Sequence, residues 1–375
     1  MKSQSNIKLS RSSCFASLIG DIYAGKRVLV TGHTGFKGSW LALWLQKLGA
    51  HVTGLSLPPN TKPSHFELIG LKELLLHIEG DILDLKMVRR AFDEAKPQIV
   101  FHLAAQPLVR DSYDNPKGTF DTNIGGTVDV LEAVRQCPSV RAVVVITSDK
   151  CYENKEWAWG YRENDALGGH DPYSASKGAT EIVCSAYSRS FFGKNGRGPH
   201  LGFATARAGN VLGGGDWAND RIIPDCIRAL SQDEPISIRN PNATRPWQHV
   251  LDPLSGYLLL AKRLLEDPDH FCGAWNFGPA DDMQIKVIEL ANQLVKAWGS
   301  GQIITPPSDK TAPHEAHLLR LCVDKAAQGL QWTPTLDSES SIEWTVNWYK
   351  AWHEKTPDLR AISLRQINEF EKQYR

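Results

Sequence analysis

The chain has 375 residues, 42% of them hydrophobic and 22% charged, with 42 Lys and Arg against 42 Asp and Glu. That length and composition exclude a peptide module, a disulfide-stapled miniprotein and a disordered chain, and leave room for two domains or one large α/β domain. Zero net charge excludes the broad basic field that draws proteins to nucleic acid, yet is compatible with a local arginine cluster around a small phosphorylated ligand.

Residues 1–24 read as an extension ahead of the fold. Its first twenty residues hold Lys2, Lys8, Arg11 and several serines but no acid. This composition is loosely like an organelle transit peptide, and a disordered extension is the reading adopted. Lys26–Thr31 is a short β-branched run that leads through a glycine turn into Ser39–Leu48, which is apolar enough for a packed helix. Further short strands are predicted at His51–Leu55, Leu74–Ile78, Gln98–Leu103 and Ala142–Thr147, with helical stretches between several of them. Near-continuous apolar strands alternating with helices predict an α/β fold, a doubly wound parallel sheet covered on both faces.

From about Arg189, pieces such as Gly213-Gly214-Gly215 and Asn240-Pro241-Asn242 alternate with amphipathic helices at Leu254–Leu265 and Val287–Ala297, which reads as a smaller substrate-binding lobe. The expected division is therefore an extension at 1–24, a nucleotide-binding domain at 25–188 and a mainly substrate-binding lobe at 189–375. Gly202–Ala208 and Gly273–Phe277 are candidates to rejoin the first sheet. No apolar run reaches the roughly 18 residues needed to span a bilayer, which predicts a cytoplasmic protein with no membrane partner. The seven cysteines are scattered and include no C-x-x-C pair, so neither a metal site nor a disulfide framework is expected.

Thr31-Gly32-His33-Thr34-Gly35-Phe36-Lys37-Gly38 spaces its glycines G-x-x-G-x-x-G between a strand and a helix, the setting that binds a dinucleotide diphosphate at a helix N-terminus. Lacking Cβ, Gly32, Gly35 and Gly38 permit a tight turn, close approach to phosphate and close packing of helix on strand. About 20 residues beyond such a turn an acid usually holds the adenosine ribose of NAD. Here Ser56 stands in that region, and it can bond a ribose without repelling a 2′-phosphate. Lys37 and His33 could attract that phosphate, so NAD and NADP both stay open. Asp81, after the third strand, either accepts from an adenine amino group or serves as a turn residue.

Tyr173 and Lys177 stand four residues apart in a stretch with helical spacing, hence on one face. A Lys ammonium beside a Tyr phenol lowers its pKa from about 10 toward neutrality and makes it a base for a sugar hydroxyl. The bland alternative is a solvated Lys beside a surface Tyr.

The glycine turn, Asn123 in Asp121-Thr122-Asn123, Ser148 at a strand end and Tyr173-x-x-x-Lys177 together resemble the extended short-chain dehydrogenase/reductase family, over the whole chain from about residue 25. The resemblance implies a Rossmann-type sheet, bound NAD, a nucleotide-sugar substrate and a homodimer. It also implies cofactor contacts at Gly32, His33, Gly35, Phe36, Lys37, Gly38, Ser56, Asp81, Ile82, Ala104, Ala105, Asn123, Tyr173 and Lys177. Within the family, Thr147-Ser148-Asp149-Lys150-Cys151-Tyr152-Glu153-Asn154 and the turn through Ser39-Trp40 look like the CDP-sugar dehydratase branch. The related dTDP-sugar dehydratases usually carry Asp-Glu in place of Asp149-Lys150, and the 4-epimerases a Ser-Ala-Thr segment.

The chemistry so implied is oxidation at C4 of the sugar, loss of water across C5 and C6, and return of the hydride at C6. Tyr173, assisted by Lys177, would take the C4 hydroxyl proton while Ser148 or Thr147 steadies that hydroxyl. Asp149, if protonated, would donate to the departing C6 hydroxyl. Lys150 would act either as a base after a fall in pKa or as a stabiliser of the enolate. On the substrate side the resemblance points to Asn210 and Arg221 facing the nucleotide sugar and to Arg245, whose guanidinium fork suits a diphosphate; Arg239 either completes that clamp or is a surface charge. Trp157 and Trp159 either shield the sugar or pack a loop. Two other readings are a nucleotide-sugar 4-epimerase and a catalytically silent NAD(P)-binding member.

Overall fold

The computed structural model describes residues 15–279, 284–306 and 318–374. Its strands are β1 (Arg27–Thr31), β2 (His51–Ser56), β3 (Leu76–Glu79), β4 (Ile99–His102), β5 (Ala142–Ile146), β6 (Gly202–Ala208), β7 (Asn210–Leu212), β8 (Ile236–Ser237), β9 (Thr244–His249), β10 (Gly273–Phe277), β11 (Gln284–Lys286) and β12 (Ile303–Ile304). Seven of them form one parallel sheet in the order β10-β6-β5-β4-β1-β2-β3. The fold is α/β and doubly wound, as the alternation of apolar strands and helices predicts. Both Gly202–Ala208 and Gly273–Phe277 enter this sheet, so a cut at residue 188 passes through its strand set.

Side chains alternate across the strands, yet both faces are buried. Val28, Val30 and Val144 join one apolar cluster, and Leu29, Val143 and Val145 join the other. That two-sided burial is why these strands read as continuous apolar runs instead of alternating ones. The helix Phe36–Lys47 is buried from Gly38 through Leu45. It is enclosed because the C-terminal segments cover its outer face: Trp44 Nε1 donates to Glu371 Oε1 at 2.8 Å, and Trp40 Nε1 donates to the Gly214 carbonyl at 2.9 Å.

The extension reading needs correction. Phe15–Ile19 is a short helix, and Phe15, Ile19 and Tyr23 are buried in the main core. Tyr23 donates its hydroxyl to the Leu258 carbonyl at 2.7 Å. These apolar side chains bury more favourably than they hydrate, so residues 15–24 belong to the fold. The transit-like or disordered reading of residues 1–14 lies outside the described residues.

The smaller lobe is built from a three-stranded sheet, β11-β9-β7, and a two-stranded one, β12-β8. It joins the main sheet through Gly209, the single residue between β6 and β7. Strand order reverses where β1 lies between β4 and β2, and in such sheets ligands bind in the crevice at the carboxyl ends of these strands.

Candidate active site

A cleft of about 1860 Å³ opens at that crevice. Pockets for one drug-sized ligand run to about 1,000 Å³, so this volume suits two ligands side by side. Its walls include every cofactor, catalytic and substrate residue expected from the sequence except His33 and Asn123.

One end of the cleft is the glycine turn. Gly32 has φ of 75°, and a Cβ there would stand 2.7 Å from the Ala104 nitrogen. A Cβ on Gly38 would stand 2.1 Å from the Gly32 carbonyl oxygen. Turn, helix and the loop after β4 are therefore in backbone contact, leaving a cradle whose shape fits a dinucleotide diphosphate. Gly38→Ala is expected to lower stability by about 1–3 kcal/mol, measured as a lower denaturant midpoint. An unchanged midpoint would show that the turn can yield.

Ser56 is buried at the end of β2, its hydroxyl 2.7 Å from Thr34 Oγ1. Asp81 lines the cleft and also accepts from Leu83 N at 3.0 Å, so it serves the turn as well. The two cations expected to attract a 2′-phosphate are engaged with other side chains. The His33 ring is buried, 2.8 Å from His77 Nδ1 through Nε2, and burial followed by His77 lowers its pKa to about 3, which leaves it neutral. Lys37 donates to Tyr257 Oη at 3.0 Å. The lining residues that follow β2, Ser56, Leu57, Pro58, Asn60 and Thr61, carry no positive charge.

Asn123 is held inside the fold. It is buried, accepts from Gln106 N at 2.8 Å, and donates to the Gln106 carbonyl at 3.1 Å and to Ser176 Oγ at 2.8 Å. Its place is to tie the loop after β4 to the Tyr173 helix, because a buried amide needs partners on all sides.

At the reacting end, the helix Pro172–Tyr187 begins with Pro172 at its first position and the Asp171 carboxylate accepting from Ser174 N at 2.9 Å. Tyr173 N donates to Ser112 Oγ at 3.2 Å, which fixes the start of the helix against a neighbour. Ser148, two residues beyond β5, donates to Asp149 Oδ1 at 2.9 Å and shares a side-chain hydrogen bond with Tyr173. Thr147 instead donates to Glu181 Oε1, so of the two hydroxyls Ser148 is the one turned to the cleft chemistry. Lys150 Nζ is 3.7 Å from Asp149 Oδ1.

Burial pushes the Tyr173 phenol up to about 12 against the pull of its Ser148 bond, and burial lowers Lys177 to about 8. Lys177 is not among the groups that set the phenol in this structure; burial, Ser148 and Asp149 come first. The enclosure that raises the phenol also weakens the lysine's own charge.

Beneath this group lies a network that sequence reasoning missed. Arg207 Nη2 meets Glu181 Oε2 at 2.8 Å, both side chains only 3% exposed. Thr205 Oγ1 also donates to Glu181 Oε2, at 2.8 Å, and Arg207 Nη1 donates to Tyr152 Oη at 2.6 Å. Two signals were present: Glu181 follows Lys177 by one helical turn, and Arg207 is a lone cation in a strand with no exposed residue.

On the lobe side, Arg221 donates to Asp216 Oδ2 at 2.9 Å, while Arg239 and Arg110 both donate to Asp220 Oδ1 at 2.9 Å. Asn210, Arg221, Arg239 and Arg245 share the cleft wall. Trp157 and Trp159, 37% and 61% exposed, pack on each other, and Trp157 stacks on Tyr161; neither lines the cleft. Among the described residues no three His, Cys, Asp or Glu side chains converge as a metal site, and no helix is long and apolar enough to cross a membrane.

Residues 28–272 match the NAD dependent epimerase/dehydratase family. A CDP-glucose 4,6-dehydratase from Salmonella typhimurium is 48% identical over 93% of this chain and 97% of that protein. A UDP-glucuronate 4-epimerase from Arabidopsis thaliana is 25% identical over 88% of this chain and 78% of that protein. Among solved structures, an epimerase from Methanothermobacter thermautotrophicus superposes with a TM-score of 0.75 at 25% identity, covering 91% of this chain and 98% of the other. A dTDP-glucose 4,6-dehydratase from Bacillus anthracis, in complex with NAD, has a TM-score of 0.72 at 19% identity, covering 88% and 99%.

Proposed function

The chain belongs to the NAD dependent epimerase/dehydratase family, and from that premise we propose that it is a CDP-glucose 4,6-dehydratase, a hydro-lyase that forms CDP-4-keto-6-deoxyglucose and water. The observation that carries this is the junction at the end of β5, where one hydroxyl, that of Ser148, connects Tyr173 with Asp149. A base for the C4 hydroxyl and an acid for the C6 hydroxyl are thereby held at one sugar-sized spot. The choice of CDP rests on the 48% identical relative.

The cofactor is NAD, in keeping with the uncharged residues after β2. Held at the glycine turn by Gly32, Gly35 and Gly38 with Ser56 and Asp81 beside them, the cofactor would supply a hydride acceptor for C4 oxidation and the hydride returned at C6. Tyr173 takes the C4 hydroxyl proton and Ser148 orients that hydroxyl. Lys177, buried one turn further along the helix, holds positive charge on the same face. A ketone at C4 acidifies C5, and the Lys150 amine is placed to offset the negative charge that develops as the C5 proton leaves. Asp149 protonates the departing C6 hydroxyl. Arg221, Arg239 and Arg245 hold the diphosphate of the substrate, with Asn210 beside the sugar.

In this reading residues 25–188 carry cofactor and catalysis, and residues 189–375 mainly the nucleotide sugar. The proposal includes a cytoplasmic homodimer. The 60% exposure of Ile182 on the Tyr173 helix supports the dimer, because a large apolar side chain there gains by being covered. The test is mass spectrometry of the protein incubated separately with CDP-, UDP- and dTDP-glucose, with and without NAD. Loss of one water from CDP-glucose alone is expected, whereas three unchanged masses would overturn the reading.

A further inference from the structure

Three charged side chains from separate stretches of chain meet at the cleft wall. Arg110 is on the helix Val109–Asp114, which follows β4; Asp220 is in the loop between β7 and the helix Ile222–Ser231; and Arg239 lies two residues beyond β8. All three line the cleft. Arg110 Nη1 and Arg239 Nη2 both donate to one oxygen, Asp220 Oδ1, each at 2.9 Å. The Arg110 bond ties the first half of the chain to the smaller lobe, between residues 110 positions apart. One carboxylate thus stands between two guanidinium forks, which lie no further apart than a single oxygen can bridge. Forks so placed are the groups that recognise a diphosphate.

The other carboxylate of the same loop is held quite differently. Asp216 is buried; its Oδ1 accepts from Ala218 N at 3.1 Å, its Oδ2 from Arg221 at 2.9 Å, and its backbone carbonyl from Tyr349 Oη at 2.5 Å. That pair is fixed inside the fold. The side chains of Arg110, Asp220 and Arg239 are instead between 37% and 51% exposed. An exposed ion pair shifts an equilibrium by about fivefold at most, so an anion entering the cleft can displace Asp220 where it cannot displace Asp216. A diphosphate brings more negative charge and more acceptor oxygens than a carboxylate, and it can engage both forks at once.

We propose that Asp220 is a built-in counter-anion that the diphosphate of the nucleotide sugar displaces, after which Arg110 joins Arg239 in holding that diphosphate. Arg110 is thereby a substrate-binding residue, and Asp220 sets how much negative charge a ligand must bring in order to bind. The identity of the ligand rests on the dehydratase reading above, whereas the clasp of Arg110, Asp220 and Arg239 does not. Asp220 has φ of 57°, a left-handed conformation that Asn also tolerates, so Asp220→Asn removes the charge without asking the loop to move.

In isothermal titration calorimetry with CDP, Asp220→Asn is expected to bind about tenfold more tightly than the wild type, because the fraction of molecules with free forks limits the apparent affinity. Asp225→Asn removes another carboxylate of the cleft wall, one paired with Arg228, and should change CDP affinity by less than about twofold. Arg110→Ala should weaken CDP binding by about tenfold in the Asp220→Asn background, where a charge-assisted contact is lost outright. In the wild-type background the loss should be about threefold or less, since a loosened Asp220 offsets part of it.

Unchanged CDP affinity in Asp220→Asn, an equal gain in Asp225→Asn, or equal losses from Arg110→Ala in the two backgrounds would each overturn the proposal, as would a wild type that binds no CDP. If Asp220→Asn fails to fold, Asp220→Gly, which adopts the left-handed backbone freely, takes its place. Turnover separates the two readings. A protein that shows this pattern with CDP but removes no water from CDP-glucose keeps the clasp and loses the dehydratase reading. One that removes water without the pattern keeps the dehydratase reading and loses the clasp.

Discussion

Tyr173→Phe is expected to lower kcat for CDP-glucose dehydration by about 10³-fold, the middle of the range for a general acid–base group. The ring stays, so its buried packing stays, and the backbone bond from residue 173 to Ser112 Oγ at 3.2 Å does not depend on the phenol. Ser148 still donates to Asp149 at 2.9 Å, so the acid end of the site keeps its geometry. What is lost is the one oxygen that takes the C4 proton. KM for CDP-glucose should therefore change by less than about threefold, and the purified variant should retain as much NAD as the wild type. Water loss followed by mass spectrometry and NAD released on denaturation measure the two quantities. Full turnover in the variant would move the base elsewhere. Loss of NAD together with turnover would point instead to a collapsed cleft.

Glu181→Ala carries the largest expected effect on stability, about 3–5 kcal/mol. The variant leaves the Arg207 guanidinium buried, with Tyr152 Oη at 2.6 Å and the Glu163 carbonyl at 3.1 Å but no countercharge. It also removes the acceptor for Thr147, the residue just after β5, and for Thr205 on β6, the strand hydrogen-bonded to β5. Because Thr147 precedes Ser148 and Asp149, turnover should fall along with stability. The paired change Glu181→Leu with Arg207→Met removes both charges at once and should restore most of the stability, since replacing a buried pair by apolar groups is often neutral. Denaturant midpoints for the two variants at low and high salt measure this, and a buried pair should respond little to salt. A loss below about 1 kcal/mol for Glu181→Ala would mean that the pair is hydrated in solution.

Most of the strands were legible because they bury both faces. Gly202–Ala208 is continuous in the sequence as Gly-Phe-Ala-Thr-Ala-Arg-Ala, and all seven residues are buried as β6. The third strand, expected at Leu74–Ile78, forms at Leu76–Glu79, since Leu71–Glu73 makes a turn of 3₁₀ helix ahead of it. Residues 15–24 misled because a helix of only five residues, apolar as it is, looks like part of an extension until the surface it covers is known. The side-chain partners of His33, Asn123 and Lys37 were not legible for one common reason. Their positions in the motif place their backbones, whereas their side chains are directed by neighbours more than 40 residues away or, for Asn123, by the loop at Gln106 and the helix at Ser176.

The sequence by itself determined the periodic and local features: the glycine turn between strand and helix, the four-residue step from Tyr173 to Lys177, and the apolar runs that make a parallel sheet. These depend on spacing along one segment, where backbone geometry alone sets which side chains share a face. Only the tertiary structure decided that Asp149 lies under Ser148 with an oxygen unpaired, that Glu181 and Arg207 neutralise each other beneath β5, and that Lys37 turns toward Tyr257. Burial and charge are sums over every segment packed around a group, and those segments are brought together only by the fold.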